Sequence, residues 1–545
     1  MRAMMMDVPL LTTSILRHAA AYHAETEIVS RLPDGALHRT TYAEAWARCG
    51  RLANALRLLG LKPGDRIGTL AWNSHRHLEL YYGVGGGGMI CHTINPRLFP
   101  EQIAFIIGHA GDAALFVDPG FVPLLEELAR RLPALPPVVV MTDAANMPHS
   151  TTLPELLCYE ALLAAAPDGF DWPELDENTA CALCYTSGTT GEPKGVLYSH
   201  RSAVLHAMAV CSPDVFSLSA GSVVMPVVPM FHVNAWGLPY AAPMVGAKLV
   251  LPGPKLDGAS LHALMEEEGV TFSAGVPTVW MALLDWMREQ GKRFASLRRM
   301  VIGGSACPPV MIERFRAHGV QVVHAWGMTE TSPLGVANTP LAKHRGLPEA
   351  DMAALSAKQG RPLFGVELRV VDAQGRTVER DGVSRGSLMV RGPWVASGYF
   401  GQDDAPAFAH AGWFETGDVV TVDADGYVQV VDRTKDVVKS GGEWIGSIEL
   451  ENIACAHPAV REAAVVARPD ERWGERPLLV LVLQDGCCVT WAEMAAFYDG
   501  KIPKWCIPDA MVVVDELPHT ATGKLQKARI RDMLRAGALP PALTS

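Results

Sequence analysis

The stretch YTSGTTGEPKG, residues 185–195, follows directly on the apolar run ACALC at 180–184 and gathers three glycines, four hydroxyl side chains between Thr186 and Thr190, a proline and one lysine. Gly188, Gly191 and Gly195 allow positive φ and bring backbone N–H groups near phosphate oxygens, while Lys194 adds a compact charge. The competing reading is a long polar turn, but plain turns rarely combine so many donors with a lysine. A Walker loop ends in Gly-Lys-Ser/Thr, whereas the order here is Lys194, Gly195, Val196. The stretch reads as a phosphate loop of another kind.

Working outward, the chain alternates between two periodicities. On the N-terminal side, Ala45, Leu52, Leu56 and Leu59 recur at helical spacing, KPGD at 62–65 turns the chain, and 67–71 reads as a strand. Residues 114–117 and 138–141 are short apolar runs flanking a helical pattern at 124–132. Beyond the loop, 223–228, 248–251, 271–274, 300–302 and 321–324 read as strands with helical stretches between them. This alternation predicts an α/β fold: a largely parallel sheet covered on both faces, with ligands gathered outside the carboxyl ends of the strands. GVGGGG at 83–88 spells a dinucleotide pattern, but 78–82 does not read clearly as a strand, so close backbone packing is the expectation.

After Gly360 the texture becomes β-rich, with short strands at 366–371 and 387–390 and an Asp425-Gly426 hairpin signal within 418–431. Beyond Arg433, strands at 463–466, 478–483 and 511–514 and helices around 448–456, 492–498 and 525–534 predict a separate C-terminal domain. The expected division is a large N-terminal domain at 1–432, its parallel sheets joined by a β-rich subdomain, and a small α+β domain at 433–545.

At 545 residues the chain exceeds one core and predicts three or four structural units. With 49% hydrophobic and 19% charged residues it has the composition of a soluble globular protein. A net charge of -11 argues against nucleic acid as the main partner, though a local loop can be positive on an acidic protein. The eleven cysteines, odd in number and irregularly spaced, predict no disulfide framework and fit a reducing, cytoplasmic setting. Cys181 and Cys184 form a lone CxxC inside an apolar run and read as core thiols. The start MRAMMMDVPLL resembles a signal peptide superficially, but Asp7 and Pro9 break its apolar core, and 13–22 reads as a helix. No apolar run reaches the ~18 residues of a membrane helix, so no stable membrane insertion is expected.

Four further stretches carry chemistry. In HAWGMTE, 324–330, Trp326 offers a flat face for a base, Thr329 a hydroxyl for phosphate, and Glu330 a hard oxygen ligand for Mg²⁺. Read alone, it is equally a core tryptophan beside a surface glutamate. FETGD, 414–418, sets Asp418 after a glycine turn, where its carboxylate can accept both hydroxyls of a ribose. DRTKDVVKSGGEWI, 432–445, is either a solvated linker or, through Arg433, a clamp for ribose or phosphate oxygens. PHTATGKLQK, 518–527, presents Lys524 on a loop before a helix, where a lone lysine is usually solvent-exposed.

In order and wording these five stretches resemble the adenylate-forming superfamily of acyl-CoA synthetases, firefly-type luciferases and peptide-synthetase adenylation domains, from about residue 10 to residue 535. The resemblance implies ATP, Mg²⁺ and coenzyme A as co-reactants, and a carboxylic acid as substrate. It implies that Thr186, Ser187, Gly188, Thr189, Thr190, Gly191 and Lys194 guide the pyrophosphate. Nucleotide contacts would come from Gly303 and Gly304, and from the run Ala325, Trp326, Gly327, Met328 and Thr329, with Glu330 and Thr186 at the metal. Asp418 and Arg433 would grip the ribose, and Lys524 would reach the substrate carboxylate and α-phosphate.

The resemblance also implies that the C-terminal domain rotates between adenylation and thiolation about a hinge within 432–436, with Lys435 the first choice. Gly441, Gly442, Glu443 and Trp444 would then line the pantetheine tunnel. Peptide-synthetase domains usually carry Asp after the phenylalanine of MFHVNAWGLPY; here Phe231 is followed by His232, which disfavours an amino acid. The acyl pocket is expected to involve His232, Val233, Trp236, Gly304, Trp326 and Pro333. Through MMMDVPLL, HTINPRLFPEQIAFI, VPMFHVNAWGLPY and KSGGEWIGSIELENIACAHP the chain is most similar to the bacterial group of medium- and long-chain fatty acid CoA ligases and methylmercaptopropionate-CoA ligases. A homodimer through the N-terminal segment is expected by the same resemblance. Competing readings are an adenylase that loads a carrier protein, a luciferase-like oxygenase, or a non-catalytic nucleotide or acyl sensor.

Overall fold

The computed structural model describes residues 4–544 apart from 151, 154, 187–192, 306, 403–404, 442 and 520–524. The α/β alternation is present, but it builds two large sheets where one was expected. The first runs, edge to edge, through Arg361–Pro362, Leu334–Ala337, Gln321–Gly327, Arg299–Ile302, Phe272–Gly275, Val223–Pro226, Lys248–Leu251, Glu27–Arg31 and Leu37–Thr41. Its centre is parallel, and antiparallel strands close both edges. The second runs through Leu156–Cys158, Val138–Val140, Asp112–Val117, Arg66–Leu70, Ile90–Thr93, Ala180–Tyr185 and Gly195–Ser199, and only the last pairing is antiparallel. Non-edge strands such as Val138–Val140 are buried at every position, as helices on both faces require. A run of hydrophobic residues gives no signal for which of two sheets it joins.

Local chemistry sets the helix boundaries. Tyr42–Leu58 begins with a capping box, in which Thr41 Oγ1 accepts from Glu44 N–H at 3.3 Å and Glu44 Oε2 accepts from Thr41 N–H at 3.0 Å. Its Ala45, Leu52 and Leu56 enter the core as their spacing predicted. GVGGGG belongs to the helix His75–Gly86 and the turn after it, and its glycines serve packing. A Cβ at Gly86 would lie 2.3 Å from Thr13 Cγ2 and 2.5 Å from the Trp172 ring. Gly86→Ala should therefore lower stability by about 1–3 kcal/mol, read as a fall in Tm, despite alanine's better helix propensity.

A four-stranded antiparallel sheet of Glu367–Val371, Gly386–Arg391, Phe414–Val422 and Val428–Arg433 follows, with Asp425 and Gly426 at the expected hairpin. FETGD is a strand segment and not the turn expected: Phe414–Val422 is continuous, and Gly417 takes φ +73° within it. The last sheet contains Val460–Asp470 and Gly474–Leu483 paired along their length, beside Ala510–Val513. The helix Ser447–Cys455 joins it to the preceding sheet: Asp432 Oδ2 accepts from the Ser447 N–H at 2.6 Å and hydroxyl at 2.5 Å. Cys181 and Cys184 are buried core thiols, and burial pushes the Cys184 thiol up to about 11. Among the described residues no helix is long and apolar enough to cross a membrane.

Candidate active site

The stretch 185–195 joins the two strands of an antiparallel pair, with Tyr185 opposite Gly195. Its base is closed by two hydrogen bonds, Thr186 N–H to Lys194 O at 2.9 Å and Lys194 N–H to Thr186 Oγ1 at 3.2 Å. Ser187, Gly188, Thr189, Thr190 and Gly191 lie outside the described residues, as do Gly442 and Lys524.

Lys194 Nζ stands 4.8 Å above the ring of Tyr399, whose hydroxyl donates to Glu330 Oε1 at 2.7 Å. This tyrosine was missed in the sequence: it is 69 residues from Glu330, and nothing local in ASGYF marks it. Glu330 is 5% exposed and so is no surface glutamate. Burial pushes its carboxyl above the usual range, against the Tyr399 hydrogen bond and the positive charges of Arg433 and Lys194. A buried carboxylate in that state is suited to a cation. Among the described residues no group of three or more His, Cys, Asp or Glu side chains is arranged as a metal site. An ion on Glu330 would complete its shell with hydroxyl, water and phosphate oxygens, the habit of Mg²⁺.

Asp418 faces Arg433 across the antiparallel pair, and Asp418 Oδ1 lies 2.8 Å from Arg433 Nε. Its Oδ2 accepts from Trp326 Nε1–H at 2.9 Å. One carboxylate thus fixes both the indole and the guanidinium. The indole rests on Gly335, where a Cβ would lie 2.6 Å from Cζ3. At Gly327 a Cβ would fall 1.8 Å from Pro333 O, so only glycine lets the strand Gln321–Gly327 meet the segment before Leu334–Ala337. Thr329 is buried, and its carbonyl accepts from the Tyr198 hydroxyl at 2.7 Å.

The apolar wall follows His232. Val233, Asn234, Ala235 and Trp236 have φ of 46°, 48°, 48° and 57°, and Gly237 has 76°. This is a turn of left-handed helix in which Val233, Ala235 and Trp236 each cost about 1–2 kcal/mol. Nothing in FHVNAWG announces it. The handedness puts Val233 and Trp236 on the cleft, and Trp236 Cη2 is 3.5 Å from where a Cβ of Gly303 would stand.

These groups line one cleft of about 900 Å³. His232, Gly304, Ala325, Met328 and Pro333 also border it, and Lys435, Asp436, Leu525, Gln526, Lys527 and Arg531 form the side contributed by the C-terminal region. Burial pushes the Lys435 ammonium down. Gly441, Glu443 and Trp444 do not border this cleft in the orientation seen here: they belong to the small hairpin of Val438–Ser440 and Glu443–Ile445, where the Trp444 carbonyl accepts from Arg385 and Gly441 N–H donates to Trp473 O at 2.8 Å.

Residues 16–400 match the AMP-binding enzyme family and residues 449–524 match the AMP-binding enzyme C-terminal domain. The chain is 54% identical to the 3-methylmercaptopropionyl-CoA ligase of Ruegeria lacuscaerulensis over 98% of each chain. It is 50% identical to the medium-chain-fatty-acid–CoA ligase of Ectopseudomonas oleovorans, over 98% of this chain and 97% of that one. Its fold superposes on the crystal structure of the anthranilate CoA ligase AuaEII in complex with anthranoyl-AMP with a TM-score of 0.86 at 26% identity, covering 98% of this chain and 99% of that one.

Proposed function

The chain belongs to the AMP-binding enzyme family, and we propose that it is an ATP-dependent acid–CoA ligase that works through an acyl-AMP on methylmercaptopropionate or medium- to long-chain fatty acids. The observation that carries this reading is the joining, in one cleft, of the Lys194–Tyr399–Glu330 cluster, the Trp326–Asp418–Arg433 cluster and an apolar wall at Val233 and Trp236. The first suits a triphosphate, the second a nucleoside and the third an acyl chain. A non-catalytic sensor is not favoured, nor is loading of a carrier protein.

Mg²⁺, when bound, neutralises phosphate charge so that a carboxylate can approach. Glu330 would hold it, with Thr186 and Thr329 offering hydroxyls beside the phosphates. Asp418 accepts from the ribose while Arg433, already oriented by it, holds the neighbouring oxygens. Lys194 and the loop it closes follow the departing pyrophosphate. Lys524 supports charge at the carboxylate and α-phosphate as the acyl–O–P bond forms. CoA sulfur then attacks the acyl carbonyl and AMP leaves, after a rotation about 432–436 that brings Gly441, Gly442, Glu443 and Trp444 over the site. In this reading the domains are 1–432 and 433–545, with Lys435 at the pivot. Exposed Met4, Met5, Met6, Val8 and Tyr22 on the N-terminal segment support a homodimer, and the free thiols of Cys455, Cys487 and Cys488 at the surface support a cytoplasmic setting.

The test is CoA- and ATP-dependent AMP release across acids from propionate to palmitate, with methylmercaptopropionate included. A preference for an apolar acid is expected; release independent of acid or CoA would overturn the reading. Tyr399→Phe adds a check on the cluster. The Tyr399 hydrogen bond lowers the Glu330 pKa, so its loss raises that pKa and moves the acid limb of the kcat profile to higher pH. Activity at pH 7 should fall about tenfold.

A further inference from the structure

The left-handed turn has an anchor outside the cleft. Asn234, 5% exposed, does not line the cleft as Val233 and Trp236 do, and its side chain joins a buried polar group between the two large sheets. Its Oδ1 lies 3.1 Å from Cys184 Sγ, which is itself 3.1 Å from Thr93 Oγ1. Cys184 S–H can donate to the amide oxygen, and Thr93 O–H can donate to the sulfur or to the same amide oxygen, which lies 3.5 Å away. Tyr81 O–H stands 3.3 Å from the same oxygen and donates to the Met230 carbonyl. The Met230 N–H in turn donates to Asn73 Oδ1 at 2.7 Å. Thr93 and Cys184 sit on the seven-stranded sheet, and the turn follows a strand of the other. The segment from Met230 to the turn is therefore pinned by Thr93 and Cys184 of the opposite sheet, by Tyr81 of the helix His75–Gly86 and by Asn73 of the loop before it.

Asparagine is among the few residues that accept left-handed φ readily, whereas Val233, Ala235 and Trp236 do not. Without a tether they would relax to ordinary φ, and Trp236 would leave the face it shares with Val233.

We propose that Asn234, tied by its amide oxygen to Cys184, Tyr81 and Thr93, is a positioning residue for the acyl substrate: it holds the left-handed turn that presents Val233 and Trp236 to the cleft, without touching the substrate. This inference rests on the acid-activating reading. It predicts that loss of the tether weakens the acyl side of the site and spares the nucleotide side.

The experiment measures binding of decanoyl-sulfamoyl adenosine and of AMP by calorimetry, and the KM for decanoate and for ATP, in the full-length enzyme. Asn234→Gly keeps freedom of φ and removes the tether; Cys184→Ala removes the nearest of its three donors, leaving Tyr81 and Thr93, and Cys184→Ser restores one. Asn234→Gly is expected to bind the acyl-adenylate mimic about tenfold more weakly and raise the KM for decanoate about tenfold, with AMP affinity and the KM for ATP within twofold. Cys184→Ala should move in the same direction and Cys184→Ser return toward the native values. Native behaviour of Asn234→Gly together with Cys184→Ala, or equal loss of mimic and AMP, would overturn the proposal. If the native enzyme bound the mimic no better than AMP, the acid-activating reading itself would fall and this proposal with it. Should Asn234→Gly fail to fold, by melting curve, the Cys184 pair decides.

Discussion

Lys524→Ala is expected to slow acyl-AMP formation by at least about 10²–10³-fold, the cost of removing a donor aimed at charge that develops in the transition state, while CoA attack on supplied acyl-AMP changes by less than about threefold. Lys524 lies outside the described residues, but Leu525 and Gln526, which follow it directly, border the cleft. In the proposed cycle this lysine serves the carboxylate and α-phosphate in the first half-reaction and has no part in the second. Single-turnover measurements of each half-reaction separate the two. Equal loss in both halves would contradict the use of two orientations.

Glu330→Gln should be nearly as severe. Glutamine keeps the volume and an oxygen for the Tyr399 hydroxyl, so the cluster's shape survives and only the charge is lost. We expect kcat to fall about 10²-fold and the Mg²⁺ concentration for half activity to rise about tenfold or more, with the KM for the acid little changed. Stability should move the other way. Burial raises the folded pKa of Glu330, so its ionised form is disfavoured in the folded state above the unfolded pKa, and a neutral amide relieves that penalty. Tm at pH 7 to 8 should stay level or rise. A fall in Tm together with the fall in kcat would mean that Glu330 serves the fold.

The order of strands and helices was legible because burial on two faces leaves apolar runs, and helices facing a sheet leave a 3.6-residue stripe, as Ala45, Leu52 and Leu56 do. The division into two sheets was not, since Cys184 and Ala274 look alike in sequence although their strands belong to different sheets. Likewise Asp418 and Arg433 were recognisable as polar residues with a purpose, but their coupling to the Trp326 indole depends on register between distant strands. FETGD misled because Gly417 does take positive φ, yet inside a strand where the register shifts soon after, between Val419 and Val420. Tyr399 and the left-handed turn had no local signature. Both are imposed by contacts across the chain, the first with Glu330 and the second with Thr93 and Cys184.

The central claim is that the acid is activated by forming a bond from its own oxygen to the α-phosphorus of ATP. The most direct measurement supplies decanoate or methylmercaptopropionate labelled with ¹⁸O in both carboxylate oxygens, with ATP, Mg²⁺ and CoA, and reads the products by mass spectrometry. The account predicts one ¹⁸O in AMP and none in pyrophosphate. Label in a phosphate released from the γ-position, or unlabelled AMP beside a labelled thioester product, would contradict it.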